Sequence, residues 1–165
     1  MSTLKQLCLA VGLSLAVTAH AVANADPGPL QLESLDGKPF GVGHTPNGAI
    51  LAFWRADCAP CLIELRAARD YAVAARPLRF LFVGLEGGPD LAAAARKAGA
   101  PPEMLLQGIG SAPAILTAYG GAPPRLPLAV AFTPSGAPCA HHGGLLGTDR
   151  VRAWARDCEA VRAGR

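Results

Sequence analysis

Two apolar runs of strand length, separated by a segment of helical character, constrain the fold of this chain most. The first is AILAFW, at Ala49–Trp54, and the second is LRFLFVGLE, at residues 78–86. A continuous apolar run of this length is typical of a strand that is buried on both faces. Between them, residues 58–75 carry Leu62, Leu65, Arg69 and Val73 at helical intervals, which predicts one helix.

The segments on either side of this unit extend the same pattern. Residues 29–40 read PLQLESLDGKPF, which predicts a short hairpin with its turn at Asp36-Gly37. After residue 88, an Ala-rich helix, a brief strand and a second helix precede the strand LAVAF, an antiparallel strand and a last helix. Strands alternating with helices, followed by a hairpin, predict an α/β fold with a mixed central β-sheet and helices on both faces.

The first 25 residues have the three-part layout of a secretory signal peptide. Lys5 precedes an apolar run at 7–17, and Ala23-Asn24-Ala25 has the small-residue form of a cleavage site. The run is shorter than the roughly 20 residues that a membrane-spanning helix needs. We therefore expect residues 1–25 to be removed, residues 26–165 to form one domain, and the protein to be periplasmic. A retained N-terminal membrane anchor is the alternative.

Charge and composition argue against a nucleic-acid partner. The chain has 165 residues and a formal net charge of +3, and none of its basic residues form a run with interleaved aromatic side chains. No large insertion suggests a dimerisation element, so we expect a monomer.

Export changes how the cysteines are interpreted. The four beyond the leader are Cys58, Cys61, Cys139 and Cys158, and an even number in an oxidising compartment favours disulfides. Cys58 and Cys61 follow a buried strand and share one side of a helical turn. Cys58 is expected at the helix N-terminus, where the dipole favours the thiolate that attacks disulfides. The pattern predicts a redox pair, with Cys61 as the resolving thiol.

The residues around the pair are expected to tune its reactivity. Ala59 and Pro60 separate the cysteines, and a proline in the first helical turn costs little because its missing N–H would be unpaired there. Asp57 opposes ionisation of Cys58, whereas Arg55, on the same side of an extended segment, can screen that charge.

Other chemistry is possible for the same cysteines. One alternative is a periplasmic metal-binding protein that uses Cys58, Cys61 and a histidine for copper or zinc, although no second CxxC is present. Another is a binding module without turnover. A purely structural Cys58–Cys61 disulfide would close almost no loop and would stabilise the fold little.

The chain resembles the TlpA/ResA group of exported thiol–disulfide oxidoreductases. The resemblance covers nearly all of residues 26–165 and is carried by LESLDGKPF, AFWRADCAPC, LFVGLE and LTAYGGAPPRLPLAVAFTPSG. It implies a thioredoxin-like fold, a redox-active Cys58–Cys61 disulfide and no further cofactor. It also implies a membrane thiol reductant as electron donor, and exported protein substrates with disulfides, apocytochrome c among them. Whether electrons flow towards the substrate or away from it depends on the reduction potential, so a disulfide donor is the alternative.

The resemblance also implies roles for individual residues. Pro127, after Leu126, matches the cis-proline that faces the active site, where the preceding backbone pairs with a bound substrate strand. Glu64, three residues after Cys61, and Glu86, after the second buried strand, match acidic residues of reductive members. Both are expected to act on the proton at Cys61. A solvated surface glutamate is the alternative for each.

The remaining cysteines are expected to form a structural disulfide. Cys139 lies in the penultimate element, and Cys158 lies on the apolar face of the last helix, which packs over the last strands in this architecture. Two buried free thiols, or a regulatory redox pair, are the alternatives.

Overall fold

A computed structural model describes residues 31–85, 89–120 and 125–163. Within them the strands are β1 (Leu32–Ser34), β2 (Pro39–Phe40), β3 (Ala49–Trp54), β4 (Arg79–Gly84), β5 (Leu105–Gly108), β6 (Leu128–Phe132) and β7 (Pro138–Gly143). The helices are α1 (Ala59–Arg66), α2 (Ala68–Ala74), α3 (Pro89–Ala98), α4 (Ala112–Gly120) and α5 (Thr148–Ala163), with short 3-10 turns at Val42–His44 and Pro102–Met104.

The strands of the described residues form one mixed sheet of seven strands, in the order β2-β1-β5-β4-β3-β6-β7. β3, β4 and β5 run parallel, whereas β1 pairs antiparallel with β5 and with β2, and β6 pairs antiparallel with β3 and with β7. In this register Trp54 pairs with Gly84, and Phe53 pairs with Leu128. The predicted α/β fold with a mixed central sheet is confirmed.

Helices cover both faces of the sheet, and this explains the continuous apolar run in β3. Ile50 and Trp54 point into a core formed with α1, α2, α3 and α5. Leu51 and Phe53 point into a second core, which α4 covers on the opposite face. Each fully buried large apolar side chain contributes roughly 1.5–3 kcal/mol relative to an exposed one. Both faces of β3 therefore stabilise the strand that leads to the cysteine pair.

The segment predicted as a single helix over 58–75 is two helices, α1 and α2. At Ala67 the backbone N–H donates to the carbonyl of Glu64, three residues back, at 3.0 Å. This turn is tighter than an α-helical turn, so the helical spacing does not continue across it. Leu65 in α1 is fully buried, whereas Val73 in α2 is 66% exposed. Tyr71 is buried instead.

Candidate active site

The carboxyl end of β3 leads directly to the cysteine pair. Trp54 ends the strand, and Cys58 is the N-cap residue of α1. Cys58 and Cys61 are joined by a disulfide, with an S–S distance of 2.01 Å and a Cα–Cα distance of 5.2 Å. Cys58 is partly exposed, whereas Cys61 is fully buried. The fold thus presents one sulfur to solvent and keeps the other behind it.

Local hydrogen bonding explains why α1 begins at Cys58. The Cys58 Sγ accepts a hydrogen bond from the backbone N–H of Cys61 at 3.3 Å, which satisfies one of the unpaired donors of the first turn. Pro60 lies in that turn, and both Ala59 and Pro60 are exposed. The same N–H and the helix dipole favour negative charge on Cys58 when the disulfide opens.

Asp57 and Arg55 form an ion pair just before the nucleophile position. Arg55 donates to both carboxylate oxygens of Asp57, with Nε–Oδ1 at 3.0 Å and Nη2–Oδ2 at 3.1 Å. The hydrogen bond from Arg55 lowers the pKa of Asp57 below its ordinary value, so Asp57 is charged at neutral pH. The negative charge beside Cys58 is therefore offset by a fixed positive partner, as the sequence predicts.

We expect an Asp57→Asn variant to alkylate faster at Cys58 by about two- to threefold at neutral pH and low salt. Removing the carboxylate charge leaves the helix N-terminus and Arg55 to favour the Cys58 thiolate. The rate is measured with iodoacetamide on the reduced protein, following the Cys58 peptide by mass spectrometry. An Arg55→Gln variant should show the opposite change. Equal rates in all three proteins would show that the ion pair does not tune Cys58.

Glu64 is buried, so the interpretation as a solvated surface glutamate is wrong for this residue. Its side chain is 4% exposed, and its Oε1 accepts a hydrogen bond from the backbone N–H of Leu146 at 2.6 Å. Tyr71 also contacts it. Burial, followed by a hydrogen bond with Glu64, raises the pKa of Tyr71 to about 12, and the Tyr71 hydroxyl accepts from the N–H of Gly147 at 3.2 Å.

The raised pKa of Tyr71 predicts a loss of stability at alkaline pH. The folded state holds the phenol proton more tightly than the unfolded state, whose pKa is 10.0, so the contribution is complete below pH 10.0 and is lost as pH rises to about 12. The loss is at most about 2–3 kcal/mol. Urea unfolding of the parent protein and of Tyr71→Phe, in short exposures across this range, measures it. The difference between the two proteins should shrink as pH rises, and a constant difference would contradict the prediction.

Leu126 and Pro127 lie at the same end of the central strands as Cys58. Phe53 pairs with Leu128, so Pro127 is one residue beyond that pair, beside the end of β3 from which the chain continues to Cys58. The Leu126–Pro127 peptide bond is cis. Pro127 is buried and Leu126 is half-buried. The carbonyl of Pro127 accepts a hydrogen bond from the N–H of Gly144 at 2.8 Å.

The second cysteine pair lies at the opposite end of the strands from Cys58. A disulfide joins Cys139 of β7 to Cys158 of α5, with an S–S distance of 2.03 Å and a Cα–Cα distance of 5.8 Å. Cys139 follows Pro138, which pairs with Phe132 at the end of β6 remote from Pro127. This disulfide therefore fastens α5 to the edge strand and does not contribute to the site at Cys58.

No metal centre is visible in the part of the chain that the structure describes. There, no group of three or more Cys, His, Asp and Glu side chains is close enough to hold an ion. His141 and His142 pair with Val130 and Ala129, neighbouring residues of β6, and so point to opposite faces of β7.

Two groups of predicted residues fall outside the described ranges. Glu86 is one, and residues 1–25, the expected signal peptide, are the other. Both stay predictions. Among the residues that are described, none of the helices has the length and apolar character needed to cross a membrane.

Sequence reasoning missed Tyr71 and the backbone amides of Leu146 and Gly147. These amides reach Glu64 and Tyr71 across 82 and 76 residues of chain, respectively. A glycine-rich segment between a strand and a helix is the only signal for this contact, and it does not identify the partner.

No family model matches the sequence, and no curated protein matches it either. Solved structures do match. MTB DsbF, in mixed oxidised and reduced forms, has 18% identity and a TM-score of 0.61, over 81% of this chain and 97% of that one. A secreted Mycobacterium tuberculosis disulfide oxidoreductase homologous to E. coli DsbE has 15% identity and a TM-score of 0.59, over 80% of this chain and 98% of that one.

A thioredoxin-related protein from Neisseria meningitidis serogroup B is similar to the same extent. It has 18% identity and a TM-score of 0.61, over 78% of this chain and 98% of that one. At these identities the likeness establishes the fold, so the chain is a thioredoxin-fold protein. It carries a Cys58–Cys61 disulfide where the strand β3 passes into the helix α1.

Proposed function

We propose that the protein is an exported thiol–disulfide oxidoreductase that reduces disulfides in exported proteins. The observation that carries this proposal is the position of the Cys58–Cys61 disulfide, with a partly exposed Cys58 at the N-cap of α1 and a fully buried Cys61 behind it. One of the structural neighbours is described as a secreted disulfide oxidoreductase, which supports both the activity and the export.

In the proposed reaction the reduced protein transfers two electrons to the substrate. The Cys58 thiolate attacks one sulfur of the substrate disulfide, forming a mixed disulfide and releasing the first substrate thiolate. Cys61, once deprotonated, attacks the Cys58 sulfur and releases the second substrate thiolate. The products are a substrate dithiol and the Cys58–Cys61 disulfide. A membrane thiol reductant returns the protein to its dithiol form.

The proton of Cys61 needs an acceptor because this thiol is fully buried. We assign that role to Glu64, whose side chain is also buried and lies one helical turn further along α1. Glu86 is proposed to share this role with Glu64.

Leu126 and Pro127 are proposed to hold the substrate chain. The backbone just before Pro127 is proposed to pair with an extended substrate segment, while the carbonyl of Pro127 accepts from the N–H of Gly144. Apocytochrome c is one exported substrate with a disulfide that fits this scheme. The protein is proposed to act as a periplasmic monomer.

The reduction potential of the Cys58–Cys61 pair tests the proposed direction. The protein is equilibrated in glutathione buffers, and the fraction of oxidised Cys58–Cys61 is read by alkylation and mass spectrometry. A reductant should have a potential near that of thioredoxin, about −270 mV. A value well above about −150 mV, towards that of strong oxidants, would assign the protein as a disulfide donor instead.

A trapping experiment identifies the partner. In a Cys61→Ala variant the resolving thiol is missing, so the mixed disulfide between Cys58 and the substrate should accumulate. Exported proteins recovered in this complex are substrates, whereas metal bound to the reduced parent protein, with no trapped partner, would favour the metal-binding alternative.

A further inference from the structure

The loop between β7 and α5, residues 144–147, connects the two halves of the candidate site. At its beginning, the N–H of Gly144 donates to the carbonyl of Pro127 at 2.8 Å. Pro127 precedes β6 and stands beside the end of β3. This hydrogen bond extends the ladder between β6 and β7, in which Leu128 pairs with Gly143, by one residue into the loop.

The other end of the loop is held from the helices that follow the cysteine pair. The N–H of Leu146 donates to the Glu64 carboxylate at 2.6 Å, and the N–H of Gly147 donates to the Tyr71 hydroxyl at 3.2 Å. Glu64 also interacts with the Tyr71 hydroxyl and helps to raise the pKa of Tyr71. Leu146, Glu64 and Tyr71 are 4%, 4% and 5% exposed, respectively. Hydrogen bonds to a carboxylate that is shielded from water are among the strong ones in proteins.

We propose that Tyr71, together with Glu64, positions Pro127 for substrate binding by holding the loop 144–147. Tyr71 is then a positioning residue, because it acts through the loop and does not touch the reacting sulfurs. Glu64 of α1 and Tyr71 of α2 accept hydrogen bonds from Leu146 and Gly147. The chain of the loop links these two residues to Gly144, which donates to the Pro127 carbonyl. This inference rests on the proposed function, since it takes Pro127 to be part of the substrate-binding surface.

Amide hydrogen exchange tests the hold on the loop without any substrate. In Tyr71→Phe we expect exchange at Gly147 to accelerate about tenfold because its N–H loses its acceptor, and exchange at the neighbouring Leu146 to accelerate with it. Exchange at Gly144 should accelerate in the same variant. Amides of β4 report global unfolding, and only acceleration beyond theirs counts. An unchanged Gly144, with faster Gly147, would overturn the inference.

Tyr119→Phe is the matched control for this experiment. It removes the same hydroxyl from the other face of the sheet, where Tyr119 packs against Phe53 and Phe132. Exchange in the loop 144–147 should stay at the parent rate in this variant. Acceleration of the loop to the same extent in both variants would also overturn the inference.

Turnover separates positioning from a general structural effect. Insulin needs the surface at Pro127, whereas a small aromatic disulfide needs little more than the Cys58 thiolate. In Tyr71→Phe we expect the loss of kcat/KM with insulin to exceed the loss of rate with the small disulfide by about fivefold or more. Equal losses would contradict positioning through Pro127. If the parent protein reduces neither, the proposed function fails, and the exchange data alone decide whether Tyr71 holds the Pro127 carbonyl.

Discussion

A Cys58→Ala variant should lose insulin-reducing activity by about three orders of magnitude or more relative to the parent protein. Cys58 is the partly exposed sulfur of the pair, and Cys61 is fully buried, so no other thiol of the site can begin the exchange. The activity is measured as insulin precipitation with dithiothreitol as the electron source, after subtraction of the rate with dithiothreitol alone.

Two further variants make this result specific to the Cys58–Cys61 pair. Cys61→Ala retains the nucleophile and should form the mixed disulfide without multiple turnover. The double variant Cys139→Ala/Cys158→Ala removes the disulfide at the opposite end of the strands and should keep most of the parent activity. Activity of Cys58→Ala equal to that of the parent would show that the protein has kept the fold without turnover.

Removing the Cys139–Cys158 disulfide should lower the free energy of unfolding by about 3 kcal/mol. The bond closes a loop with a sequence separation of 19, and opening it restores the conformational entropy of that loop to the unfolded chain. For a domain of this size the midpoint of thermal unfolding should fall by about 10 °C. Urea unfolding of Cys139→Ala/Cys158→Ala and of the parent, both with Cys58–Cys61 oxidised, gives the difference.

The substitution of Cys158, which is 2% exposed and packs in the core, by the smaller alanine also lowers stability. This packing effect has to be measured separately from the effect of losing the cross-link. Unfolding of the fully reduced parent protein, whose side chains are unchanged, supplies that control. The Cys58→Ala/Cys61→Ala variant removes a disulfide that closes a much shorter loop, at a sequence separation of 3, and should lose less stability. An equal loss in both double variants would contradict the structural role assigned to Cys139–Cys158.

Much of this architecture is recorded locally in the chain, which is why it can be predicted. AILAFW is apolar at every position, and β3 lies at those residues, with alternate side chains in the two cores. Residues 78–86 contain β4 in the same way. The cysteine pair follows β3 after three residues, and a helix begins there with Pro60 in its first turn. Burial pattern, turn residues and motif spacing are properties of neighbouring residues, so they can be read without coordinates.

The tertiary structure alone decided which distant groups meet. The helix expected over 58–75 is interrupted at Ala67. Glu64 is buried and accepts a hydrogen bond from the amide of Leu146, 82 residues away in the chain. The Tyr71 hydroxyl accepts a hydrogen bond from Gly147, and the carbonyl of Pro127 accepts one from Gly144. A backbone N–H has the same chemistry at every position, so no residue type marks the one that a buried carboxylate will bind. Such partners are set by how the helices dock on the sheet.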